Sequence, residues 1–162
     1  MLLLSMLFFL LFHPSFSLIK YKSIADYWQI ISDFESVTTM IIYSVEYRGL
    51  KGALLHYCQS GYVEEMLYRG PILLFAIIIA AQSMWEKTLV WPLALFTNYL
   101  WVNWAHPHYA PLFLAFIFAG GLVNSAFIIH SKNKALGMIA AIILHASFNL
   151  IFVSGVYYFY MT

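Results

Sequence analysis

The sequence predicts an all-α membrane protein, a polytopic transmembrane helical bundle of about six helices, and two observations carry that expectation. Hydrophobic residues make up 63% of the chain and charged residues only 9%, against about 25% charged in a soluble domain. The apolar residues also fall in long runs. A hydrocarbon core about 30 Å thick takes roughly 20 of them per crossing, so 162 residues hold five or six spans and little else. An ordinary cytosolic domain is excluded. A net charge of +1 with no basic run excludes nucleic acid as a partner. Cys58 is the only cysteine, so an internal disulfide, a Cys-based zinc site and a redox pair are excluded too. The bilayer itself is the expected partner, with the chain a multi-pass integral protein of the cell (inner) membrane.

Met1 to Ile19 is apolar but has no basic n-region and runs too long for a signal peptide, so it reads as a first membrane helix. Ser23 to Tyr47 mixes apolar residues with Asp26, Asp33 and Glu35, and either spans or lies in the interface. Arg48 to Gly61, with Gly49, Lys51, Gly52 and His56 around Ala53-Leu54-Leu55, reads as an interfacial connector ending at Gly61. A helix follows from Tyr62 to Trp85, polar at its start and apolar from Ile72 to Ala81. Thr88 to Ala105 is the next span and stops near His106-Pro107-His108, because proline disfavours helix at the residue before it. Pro111 to His130 is another, with Gly120-Gly121 placed for close backbone approach. Lys132 and Lys134 mark a water-exposed turn before the last span, Ala135 to Tyr158. The chain thus divides into residues 1–60, N-terminal helices plus connector, and 61–160, a helical core, within a single membrane domain.

If Ser23 to Tyr47 crosses, Lys20, Lys22, Lys87, Lys132 and Lys134 share one side against Arg48 and Lys51, which makes that side cytoplasmic. Glu64 and His106 then lie toward the other side. Asn149, 15 residues past Lys134 and so about 22 Å along the helix, joins them in depth.

Charged groups at lipid depth cost about 2.5 kcal/mol or more each, so they face a bundle interior or a watery cavity. Glu65 and Arg69, at i and i+4, can pair and neutralise each other. Glu64 is rotated about 100° from Glu65 and has Tyr68 one turn on, which leaves it the free carboxylate and a candidate general base. His106 can hold a water jointly with it, since imidazole takes and gives protons near neutral pH. His145 and Asn149, again i and i+4, would present two donors from one helix face, as a developing oxyanion requires. Base, water and polarising pair make up the kit for amide hydrolysis without a covalent intermediate.

These patterns, Glu64-Glu65-x-x-x-Arg69, Val102-Asn103-Trp104-Ala105-His106 and His145-x-x-x-Asn149, resemble in order the motifs of the CAAX protease and bacteriocin-processing family, glutamic-type intramembrane endopeptidases. The resemblance covers roughly Gly61 to Ile151. It implies that Glu64 and His106 activate water, that His145 and Asn149 stabilise the oxyanion, and that Glu65 and Arg69 support the site, with no metal and no cofactor. Its second motif usually opens with Phe four residues before the His, where this chain has Val102, with Trp101 and Trp104 supplying nearby aromatics. Family members cleave prenylated tails, process peptides or sorting signals, or confer bacteriocin immunity. The implied partner is therefore a membrane-associated protein or peptide substrate.

Plainer readings stand beside these. Glu65–Arg69 also reads as a structural ion pair, and His145 and Asn149 as interhelical hydrogen bonding worth about 1 kcal/mol per contact. His108 reads as a loop histidine, His13, His56 and His130 as structural, and Cys58 as a small buried residue. An intramembrane metalloprotease or metal transporter would use Glu64, Glu65, His106 and His145 as ligands, although the His-Glu-x-x-His pattern is absent. A catalytically silent immunity or scaffold protein would need none of them.

Overall fold

The structure, a computed structural model, describes residues 24–106 and 111–162, with side chains over 37–106 and 114–162. The expected first span, His13 and the Pro107-His108 pair lie outside these residues. The described part is all-helical: α1 (Ile24–Ile78), α2 (Met84–Ala105), α3 (Pro111–His130) and α4 (Lys134–Met161).

The largest departure from expectation is α1. It runs 55 residues and bends into two arms at Gly49, whose φ of 68° and ψ of 162° are non-helical. That backbone favours glycine, because a Cβ is strained there. The second arm, residues 50–78, passes through the segment expected to be an interfacial connector, and through Gly61, expected to end it. Leu50, Ala53, Leu54 and Tyr57 recur at helical spacing and pack with Val45 of the first arm against Val153 and Val156 of α4. This buried stripe outweighs the poor helix propensity of Gly52 and Gly61. The proposed 60/61 division therefore falls inside a helix.

Helix α1 also stops earlier than expected. After Ile78 the chain turns through Ala80, at φ 48°, and restarts at Ser83, whose side chain caps the backbone N–H of Glu86 while the Glu86 carboxylate accepts from the backbone N–H of Ser83. This is a capping box, written in the sequence as Ser83-Met84-Trp85-Glu86. The two Glu86 bonds from Ser83 and Gln82 backbone N–H groups hold that carboxyl below the usual carboxylate range.

The turn between α3 and α4 is also drier than expected. Asn133 caps α4 through Ala135 and Leu136. Lys134 is buried, and its Nζ donates to the carbonyls of Ile129 and Ser131, closing the end of α3. Of the two lysines, only Lys132 faces outward. Close approach is found at Gly121 but not at Gly120, around which there is open space.

Turns 79–83 and 131–133 sit at the same end of the bundle, with Trp91 of α2 beside His130 of α3. A cluster of Ile72, Ala76, Val90, Ala94, Ile128, Ile129 and Met138 fills that end. At the other end, the first arm of α1 packs on α4 through Val37, Ile41, Val153 and Val156. Between them lies a layer of Trp101, Val102, Leu114, Ala115, Phe118 and Leu122. Large apolar side chains also cover the outside, among them Leu67, Leu74, Ile78, Leu89, Phe96, Phe116, Ile143 and Ile151. By length and composition α4 is long and apolar enough to cross a membrane, with mean hydropathy 2.1, whereas the apolar stretch Leu114–His130 is shorter.

Candidate active site

The middle layer positions the polar residues. Glu64 and Glu65 lie in the second arm of α1, His106 caps the end of α2, and His145 and Asn149 lie halfway along α4. Glu65 and Arg69 are fully buried, while the side chains of Glu64, His106 and His145 keep 19%, 13% and 11% exposure toward a cavity of about 470 Å³. The last three are thus the ones a ligand can reach.

Each Glu64 oxygen holds one donor. Ser60 Oγ donates to Oε1 at 2.6 Å, and the Trp101 indole N–H donates to Oε2 at 2.7 Å. His106 Nε2 and His145 Nε2 stand 3.8 and 3.9 Å from Oε2. These separations are too long for hydrogen bonds but can be bridged by one small oxygen species between carboxylate and imidazole.

Behind this group lies a dry network. Glu65 Oε1 accepts from Asn124 Nδ2 at 2.8 Å and faces His145 Nδ1 at 2.8 Å, while Oε2 lies 3.5 Å from Arg69 Nε. Arg69 Nη2 donates to Asn98 Oδ1 at 2.7 Å, and its guanidinium lies over the Trp101 ring, 3.9 Å from the centroid. Asn98 in turn donates to Ser125 Oγ at 2.9 Å and to the Ala94 carbonyl at 2.7 Å. All four helices are thereby tied together. A Cβ on Gly121 would run into Asn98 Oδ1 and Arg69 Nη2 and come within 2.8 Å of Trp101 Cζ3, so only glycine leaves room for the network.

The Glu65 contact fixes the chemistry of His145. A carboxylate oxygen is an acceptor, so Nδ1 is the ring nitrogen placed to donate to Glu65, and in that tautomer Nε2 turns a lone pair to the cavity. His145 then donates toward the cavity only when doubly protonated; singly protonated, it is an acceptor beside His106. Asn149 Nδ2 donates to the Tyr57 carbonyl at 2.9 Å, which uses one of its two amide hydrogens. Gly61 admits this approach, since a Cβ there would lie 3.3 Å from Asn149 Nδ2 and from His145 Cδ2.

The structure therefore groups Glu64, His106 and His145, places Asn149 on the same cavity wall, and sets Glu65 and Arg69 behind them. His56, read as structural, also lines this cavity, whereas His130 lies beside Trp91 at the opposite end. Cys58 is half-buried. Among the described residues no three His, Cys, Asp or Glu side chains converge to hold a metal ion. Sequence reasoning missed Ser60, the donor role of Trp101, and the network members Asn98, Asn124 and Ser125. The two asparagines carried a signal, because an amide in an apolar helix needs a partner as surely as a charge does. The Trp101 donor carried none.

The remaining wall is apolar: Val37, Met40 and Ile41 from the first arm, Phe116 and Ile117 from α3, and Leu144, Phe148, Phe152 and Val153 from α4. No family model, curated protein or solved structure matches this chain.

Proposed function

We propose that the protein is a multi-pass integral membrane endopeptidase of the glutamic type, resembling the CAAX protease and bacteriocin-processing family, which hydrolyses a peptide bond of a membrane-associated substrate such as a C-terminal tail or sorting signal. The observation that carries this reading is the placement of Glu64 Oε2 within 4 Å of two imidazole nitrogens, on a cavity lined for the most part by apolar side chains. A water held between Glu64 and His106 gives its proton to Glu64 as its oxygen attacks the substrate carbonyl. Charge then develops on the carbonyl oxygen, toward the free amide hydrogen of Asn149, which lies on the same helix face as His145. Collapse breaks the C–N bond, and the proton held by Glu64 passes to the leaving amine.

The multi-pass reading rests on the many large apolar side chains exposed on α1 to α4 and on α4, the one described helix long and apolar enough to cross a membrane. With the expected span at residues 1–19 and the two arms of α1, it gives six crossings in the cell (inner) membrane. The test uses purified protein in lipid vesicles, incubated with membrane proteins extracted from its host and read by mass spectrometry of new peptide termini. Cleavage is expected in the presence of strong chelators. Glu64→Gln and His106→Ala are expected to reduce it by about a hundredfold or more. Unchanged cleavage by both variants would sink the proposal.

A further inference from the structure

Trp101 meets four of the site residues, Glu64, Arg69, His106 and His145. Its N–H reaches Glu64, its face carries Arg69, and its ring stands edge-on to His106 at 5.0 Å and 88° and to His145 at 5.7 Å and 67°. It lies one residue before Val102, where the second motif begins, so the motif pattern gives it no role.

We infer that Trp101 and Ser60 are positioning residues that orient the Glu64 carboxylate, Trp101 through Oε2 and Ser60 through Oε1. Two short bonds, one on each oxygen, fix the plane of the carboxylate. They leave Oε2 a second lone pair on the side of His106 and His145. Donors to both oxygens stabilise the charged form, the only form that can take a proton from water. Arg69 strengthens this arrangement, because a cation over the ring face pulls electron density from the indole and makes its N–H a better donor. The chain from Glu65 through Arg69 and Trp101 to Glu64 thus gives the buried ion pair a route to the reacting carboxylate. The hydrogen-bonding role stands on geometry alone; its effect on cleavage rests on the protease reading.

The test needs no substrate. Dicyclohexylcarbodiimide is an apolar reagent that couples to protonated carboxyl groups at lipid depth, and mass spectrometry of the full chain in detergent gives its rate of attachment to Glu64. Trp101→Phe keeps a ring under Arg69 but loses the N–H, and Ser60→Ala loses the other donor with the indole in place. Each is expected to speed labelling of Glu64 by about tenfold, as loss of a hydrogen bond to a charged group implies. On a peptide cleaved by the wild type, each is expected to lower kcat by about tenfold with KM little changed. Labelling at the wild-type rate in both variants would overturn the inference, whatever cleavage shows. Faster labelling in both, with no substrate cleaved by the wild type, would uphold the donors and overturn the protease reading alone.

Discussion

Glu64 and Glu65 are neighbours in sequence, about 100° apart around one helix, and their surroundings give them opposite work. Glu65 is sealed among Arg69, Asn124 and His145, and Glu64 opens on the cavity. Their substitutions should separate accordingly. Glu65→Ala strands the Arg69 charge without a counter-ion in a dry site, which costs about 3–5 kcal/mol. The expected result is a clear fall in the thermal midpoint of the detergent-solubilised protein. Glu64→Gln keeps the shape of a partly exposed side chain, so its midpoint should stay close to wild type while cleavage is lost. This division was legible in the sequence, since the i, i+4 spacing of Glu65 and Arg69 names the pair and leaves Glu64 over. The tie from Glu65 to His145 was not legible. It depends on how α1 and α4 face each other, 80 residues apart, and no local pattern encodes that.

At the scale of elements, two glycines, Gly121 and Gly49, mark where the chain needs a missing Cβ, each for a different reason, and a third, Gly120, does not. Gly121 makes room for Arg69 and Asn98, so Gly121→Ala should cost about 1–3 kcal/mol or more by overpacking. Gly120, one position earlier, borders open space beside the cavity, and Gly120→Ala should leave the thermal midpoint nearly unchanged. Gly49 sets the bend of α1, and Gly49→Ala should cost about 1–3 kcal/mol through its positive φ. Thermal unfolding of the three variants side by side checks the order. The sequence named Gly120-Gly121 as a close-approach site but could not choose between them, since the choice depends on which face of α3 meets Arg69. It also missed the helix through residues 50–61, because glycines and charges hid the stripe of Leu50, Ala53, Leu54 and Tyr57 that packs on α4. The boundary near Ser83 was readable, and a capping box was overlooked inside an apolar stretch.

At the scale of the whole molecule, the polar layer lies between two apolar ends. The turns at 79–83 and 131–133 share one end, and the bend at Gly49 packs with the end of α4 at the other. In a Cys58→Ser background, single cysteines at Gln82 and Lys132 should therefore be labelled from one side of sealed vesicles. Cysteines at Arg48 and Thr162 should be labelled from the opposite side, and labelling of all four from one side would refute the six-span arrangement. The all-helical class and the convergence of the polar residues on one cavity follow from composition and spacing, because an apolar environment imposes a cost on every polar group it surrounds. The apolar cavity wall from the first arm of α1 could not be foreseen, since it depends on the fold-back at Gly49. Catalysis itself is tested most directly by quantitative mass spectrometry of membrane peptides from cells making either the wild type or Glu64→Gln at equal abundance. At least one membrane-associated protein should appear cut at a defined bond with the wild type and intact with Glu64→Gln; identical peptide sets in the two strains would contradict a water-activating role for Glu64.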